Sequence, residues 1–239
     1  MNFIEGETIY IDKPYHMTSF NALAHVRGML SRKMGVKKLK VGHAGTLDPL
    51  ATGVLILCTG RATKSIDRLQ AQTKEYKATL QLGATTPSFD MELEVDGTYP
   101  TEHITRELIE ETLPRFVGEI SQVPPQYSAC KVGGKRAYQM MRDGEKVELK
   151  PKILRVDEIE MCGFDREKML LSIRVVCSKG TYIRALARDI GEALGSGAYL
   201  TELRRTRVGD VTVDRCLTIE EFPEWLDKCH IEMPQQNGK

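Results

Sequence analysis

A chain of 239 residues can hold one large domain or two small ones, and either is long enough to bury a real core. With 41% hydrophobic and 28% charged residues the composition is that of an ordinary soluble globular protein, and a net charge of +1 does not announce a polyanion binder. The six cysteines (Cys58, Cys130, Cys162, Cys177, Cys216, Cys229) contain no C-x-x-C pair, which argues against a disulfide framework and a zinc site and suits a reducing cytoplasm.

The N-terminus lacks a signal-peptide layout, and the longest apolar run, Val54 to Cys58, is too short to span a bilayer. A soluble, cytoplasmic protein with no membrane partner is expected. Charge is unevenly placed. From Lys13 to Leu47 there are seven Lys/Arg and no acid, and from Ile120 to Arg142 four Lys/Arg and no acid. From Phe89 to Glu111 eight acids face the single base Arg106. Two local basic segments fit a polyanion or simply two solvated faces, and charge alone does not choose.

In chain order, Thr8–Asp12 reads as a strand closed by a Lys13-Pro14 turn. A helix follows from about Ser19, capped by Thr18 or Ser19, with Phe20, Leu23, Val26 and Leu30 as its apolar face. Gly53–Thr59 is a compact apolar run and predicts a buried strand. Tyr76, Ala78, Leu80 and Leu82 alternate with polar residues, the period of a half-buried strand. Ile104–Phe116 reads as helical. Ile153–Cys162 and Met169–Cys177 form a strand pair, with a turn placed at Gly163-Phe164-Asp165. Thr181–Leu194 is a helix ending at Gly195, and Tyr199–Val208 another strand. Thr218 and Glu221 have capping-box spacing for a last short helix, followed by a disordered tail from Pro234. Pro124–Lys152 fits neither period and reads as a long functional loop or arm. Hairpin-like pairs mixed with helices predict an α+β fold around a mixed, mostly antiparallel sheet.

The most informative stretch is Val41 to Leu55, where three glycines and a proline surround one carboxylate just before the buried strand. Such a loop can hold Asp48 rigidly at a cleft mouth, although a lone Asp-Pro is ordinarily only a turn signal. The string Gly45-Thr46-Leu47-Asp48-Pro49 with Thr52-Gly53-Val54-Leu55 resembles the catalytic motif of the TruB family of tRNA pseudouridine synthases. Asp12-Lys13-Pro14 with Thr18-Ser19 resembles that family's N-terminal motif. Lys74-Glu75-Tyr76 resembles its tyrosine-bearing strand, and Val123 to Ala129 with Lys131 its RNA-gripping arm. Lys179 to Arg184 and Leu203-Arg204-Arg205 resemble its last two motifs. The resemblance covers roughly residues 8–210 in the family's order.

That resemblance implies the pseudouridine synthase fold and isomerisation of uridine-55 in the T-arm loop of tRNA, by a monomer without an obligatory protein partner. The reaction breaks the N-glycosidic bond, turns the uracil and rejoins it through carbon, so no cofactor and no metal is expected. One ionised carboxylate suffices, and the resemblance assigns that role to Asp48, whereas a glycoside hydrolase ordinarily uses two. It implies Arg184 as the cation keeping Asp48 charged and Tyr76 as the ring that stacks on the flipped base, completing the catalytic set. His43, Lys64, Leu203, Lys13, Tyr127 and Lys131 are implied as substrate-binding residues, with Asp90 a weaker addition to the Arg184 network. Lys135, Arg136 and Tyr138 mix charge and rings in the arm, which suits phosphate contact plus stacking.

The expected organisation is a catalytic domain over residues 1–220, its arm at about 124–152, and a short helix and tail over 221–239 in place of the family's common C-terminal RNA-binding module. One departure falls in the N-terminal motif, which usually carries glycine where this chain reads Pro14-Tyr15-His16. Against catalysis stand two rival readings, a purely RNA-binding or RNA-folding protein and a metal-dependent nuclease. The intact Asp48, Tyr76 and Arg184 set counts against the first, and the lack of clustered carboxylates against the second.

Overall fold

A computed structural model describes residues 1–128, 130–143, 147 and 149–232. In chain order the elements begin with β1 (Thr8–Lys13), α1 (Ser19–Met34), β2 (Val41–His43), β3 (Ala51–Thr59), α2 (Ile66–Ala71) and β4 (Lys74–Leu82). There follow β5 (Ala84–Thr85), β6 (Gly97–Thr98), α3 (Arg106–Thr112), β7 (Gly118–Gln122), β8 (Lys131–Val132), β9 (Lys135–Arg136) and α4 (Ala137–Arg142). The last are β10 (Lys152–Asp165), β11 (Leu170–Cys177), α5 (Ile183–Ala193), β12 (Ala198–Val208), β13 (Val211–Thr212) and α6 (Phe222–Lys228). They divide between two units, residues 1–74 with 204–239, and residues 75–203.

In the first unit β1 pairs antiparallel with β3, from Thr8 opposite Cys58 to Lys13 opposite Gly53. β2 joins β3 antiparallel, and β13 folds back on the end of β12. β3 is buried on both faces. Leu55 and Leu57 point to a core with Ile9, Ile11, Val26, Leu30 and Phe222, while Val54, Ile56 and Cys58 point to one with Ala44, Val208 and Val211. Two-sided burial explains an unbroken apolar run where a half-buried strand would alternate. α1 starts where the sequence places it: the Thr18 side chain accepts from Asn21 N–H at 3.0 Å. Its buried face is Ala22, Leu23, Val26, Leu30 and Met34; Phe20, expected on that face, is 63% exposed. At the second position of the helix, Phe20 lies roughly a quarter turn around the axis from the centre of the inward stripe that Leu23, Val26 and Leu30 define.

In the second unit, strands run in the order β4-β11-β10-β7. β10 is antiparallel to both β11 and β7. β4 alternates as its sequence predicts, with Tyr76, Ala78, Leu80 and Leu82 buried. The α+β expectation with antiparallel pairing therefore holds. The β10–β11 turn lies later than expected. Gly163, Phe164 and Asp165 still pair in the strand, opposite Ser172, Leu171 and Leu170. The Asp165 carboxylate instead accepts from the N–H groups of Glu167 and Lys168, each at 3.1 Å, and builds the turn after itself.

The helical stretch 104–116 is α3 followed by a tighter 3₁₀ turn at Leu113–Phe116. The described residues of the arm include regular elements where the sequence suggests a loop. Gly133 and Gly134 both have positive φ (57° and 88°), the requirement of a two-residue type I′ hairpin, and they join β8 to β9 ahead of α4. The tail expected to be disordered lies outside the described residues. Among the described residues no helix is long and apolar enough to cross a membrane.

Candidate active site

Asp48 lies on the seven-residue connection between β2 and β3, half-buried, and its loop is fastened from three directions within the first unit. Ala44 N–H donates to Ile56 O at 2.8 Å and Ala51 N–H to Asp48 O at 3.0 Å, closing the loop on itself. From α1, the Ser19 hydroxyl both accepts from Leu47 N–H (2.8 Å) and donates to Leu47 O (3.0 Å). From β12, Arg205 Nη2 donates to Gly45 O at 3.1 Å and Nε to Val54 O at 2.8 Å, with the side chain 2% exposed. From β1, Lys13 Nζ donates to Pro14 O (2.8 Å), Met17 O (2.6 Å) and Pro49 O (3.4 Å).

Lys13 is fully buried, and its ammonium is turned onto backbone carbonyls. Burial lowers its pKa from 10.5 to about 8, Asp48 pulls it back up, Arg205 lowers it and Asp12 raises it. His43, on β2 opposite Leu57, is also held below its ordinary value, by burial first and then by Arg205, with a hydrogen bond to the Gly45 backbone opposing. Its imidazole is therefore neutral at neutral pH. Its Nδ1 is buried without a hydrogen-bond partner among the described residues. Next to Arg205, Arg204 forks onto Asp12 (Nη1–Oδ1 3.1 Å, Nη2–Oδ2 2.6 Å) and reaches Thr52 Oγ1 at 3.2 Å. Lys64 is exposed on the turn after β3.

The second unit holds the remaining residues. Tyr76, on β4, is 8% exposed. Arg184 sits in the first turn of α5, buried, with Nε 3.6 Å from Asp90 Oδ2. Its Nη1 donates to Ser88 O at 3.0 Å and its Nη2 to Tyr127 O at 2.9 Å. Tyr127 thus enters through its carbonyl, and the weakly matched Asp90 does join the Arg184 network. Leu203 is half-buried on β12. Lys131 belongs to β8, and its side chain lies outside the described residues. Buried Gln122 orients the start of α5, accepting from Tyr182 N–H at 2.9 Å and donating to Tyr182 O at 3.2 Å.

Sequence reasoning passed over Gln122, and it named Ser19 only as a possible helix cap and motif residue and Arg205 only within a motif, without the loop contacts that each makes. Arg205 had a signal, since it stands in a strand that must be buried, where a charged side chain persists only with dedicated partners. Among the described residues no group of His, Cys, Asp and Glu could hold a metal ion, and none of the six cysteines forms a disulfide.

Comparison with known proteins places the chain in a family. Residues 31–183 match the model of the TruB family pseudouridylate synthase N-terminal domain, and residues 184–233 that of the tRNA pseudouridylate synthase B C-terminal domain. A tRNA pseudouridine synthase B of Phocaeicola vulgatus is 66% identical over 97% of this chain and 98% of its own length. Its counterpart in Bacteroides thetaiotaomicron is 64% identical over the whole of both chains. Among solved structures, a Cbf5-Nop10-Gar1 complex contains a chain 28% identical with a TM-score of 0.67, over 95% of this chain and 58% of that one. An archaeal box H/ACA sRNP Nop10-Cbf5 complex gives 28% identity and a TM-score of 0.64, over 93% of this chain and 54% of that one. The fold and these relatives together define a pseudouridine synthase, an isomerase. The chain belongs to the TruB family.

Proposed function

We propose that the chain converts uridine-55 in the T-arm loop of tRNA to pseudouridine, acting on a flipped-out base with Asp48 as its carboxylate and without a cofactor. The observation that carries this reading is the fixation of the Asp48 loop by Arg205, Ser19 and Lys13, three side chains from three different elements. A loop needed only as a turn does not require a buried arginine and a buried lysine on its carbonyls. A carboxylate that must meet one atom of a bound base does require such rigidity, because small misplacements cost large factors in rate.

Tyr76 and Arg184 are the other two catalytic residues of this reading. The substrate contacts are His43, Lys64, Leu203, Lys13, Tyr127 and Lys131, within a catalytic domain over residues 1–220 whose arm at about 124–152 grips RNA. The protein acts as a monomer in the cytoplasm. In the reaction the N1–C1′ bond breaks, a C5–C1′ bond forms, N1 gains a proton and the proton on C5 leaves to water. Unmodified tRNA carrying tritium at uridine C5 therefore reports each turnover. Wild type releases tritium, and Asp48→Asn releases none while still binding tRNA. A chain that binds tRNA tightly but releases nothing, in either form, would be an RNA-binding or RNA-folding protein instead.

A further inference from the structure

Beside the Asp48 loop the first unit carries three exposed rings that the reaction leaves unused. Tyr15 is 43% and Phe20 63% exposed, and His16 between them is exposed as well. Large apolar rings left in water at a mechanistically central place call for a reason. Tyr15 and His16 stand ring to ring, centroids 4.1 Å apart and tilted by 58°. His16 takes a left-handed backbone conformation (φ 59°), uncommon for a residue with a side chain.

This segment is not a loose turn. The Lys13 ammonium binds the carbonyls on both sides of it, Pro14 and Met17, and the same nitrogen reaches Pro49, the residue after Asp48. At its far end Ser19, adjacent to Phe20, is doubly bonded to Leu47, the residue before Asp48. The ring-bearing turn and the catalytic loop are thus one hydrogen-bonded assembly. No acid stands between Lys13 and Leu47 in the sequence that carries this turn.

We infer that Tyr15, His16 and Phe20 form a stacking shelf for unpaired nucleotides of the substrate RNA next to the reacting uridine. The inference rests on the function proposed above. Rings supply faces for unstacked bases, and the segment from Lys13 to Leu47 sets no carboxylate against the phosphates that would accompany them. A rigid shelf gives that stacking little ordering cost, because the strained backbone at His16 is already held by Lys13. The shelf acts in binding; the carboxylate does the chemistry.

The test uses the full chain and unmodified tRNA tritiated at uridine C5, in single-turnover reactions over a range of enzyme concentrations. Tyr15→Ser and Phe20→Ala each raise the half-saturating enzyme concentration about tenfold, the size expected for one lost base–aromatic contact, and leave the saturating rate in place. Phe20→Trp restores the affinity, which separates stacking from any loss of folding, and thermal melts of the variants match wild type. Unchanged half-saturation in both variants overturns the shelf. So does a fall in saturating rate alone, which would put the rings in the chemistry. Sedimentation showing a wild-type dimer that Phe20→Ala dissolves would assign the patch to a second copy of the chain. If wild type releases no tritium, the proposed function fails, and equilibrium binding of the same tRNA by wild type and variants still decides the shelf.

Discussion

A Cβ placed on Gly53 would lie 2.2 Å from the carbonyl oxygen of Arg205 and 2.9 Å from its backbone nitrogen. Gly53 has φ +103°, so the backbone is also in a region that favours glycine. The two residues fix each other: strand β12 can lie this close to the start of β3 only because position 53 has no side chain. From that distance the Arg205 side chain reaches over β3 to the carbonyls of Val54 and Gly45, on both sides of Asp48. Gly53→Ala is expected to destabilise the protein by about 3 kcal/mol or more, since the obstacle is backbone that cannot rotate away. Urea denaturation measures it; a change below about 1 kcal/mol would mean that the strands separate easily.

Arg205 itself should act on rate more than on affinity. Arg205→Met keeps most of the buried volume but leaves the Val54 and Gly45 carbonyls without these donors, at a cost of about 1–3 kcal/mol for each group left unsatisfied. The loop then samples positions away from the productive one. A loss of about a hundredfold in single-turnover rate is expected, with the dissociation constant for tRNA little changed. Equal losses in rate and binding would instead place the guanidinium against the RNA.

How much of this could be read in the sequence depends on how local its cause is. Thr18 caps α1 as expected, and Thr218 and Glu221 exchange the two reciprocal bonds of a capping box, at 2.9 and 3.1 Å. Both involve residues three apart. The apolar periodicity fits Phe20 to the buried stripe only loosely, and Gly163 reads as punctuation although the strand runs through it. There Asp165 decided the matter with its carboxylate. Asp48 was legible from its glycine-rich string. The clasp around it was not, because Arg205 meets Gly45 across 160 positions of sequence and no local pattern encodes that meeting.

Arg184 and Asp90 offer a test of a buried ion pair. Both side chains are under a tenth exposed, with Nε and Oδ2 3.6 Å apart. Asp90→Asn withdraws the charge that faces the guanidinium and should cost about 3 kcal/mol of stability. Replacing both partners with apolar residues (Arg184→Met with Asp90→Leu) should cost less than the sum of the single changes. A double-mutant cycle by denaturation gives the coupling, and strict additivity would show that the pair does not interact energetically.

Lys13 links the Asp48 loop to pH, with two effects of opposite sign. Only its ammonium form has the hydrogens that the carbonyls of Pro14, Met17 and Pro49 accept. Burial is the chief cause of its pKa falling from 10.5 to about 8. The clasp therefore loosens as pH rises through about 8, and the single-turnover rate should fall there. Stability moves the other way. Between the folded value of about 8 and the unfolded value of 10.5, the unfolded chain binds more protons at this lysine than the native one. Its contribution to stability accordingly rises with pH across that window and is lost as pH falls through about 8. Rate profiles and urea melts over the same pH series separate the two. A rate that falls while stability holds assigns the alkaline limb to the clasp, whereas rate and stability falling together would assign it to unfolding. Lys13→Arg, whose guanidinium stays charged throughout, should lose the limb even if its larger head lowers the plateau.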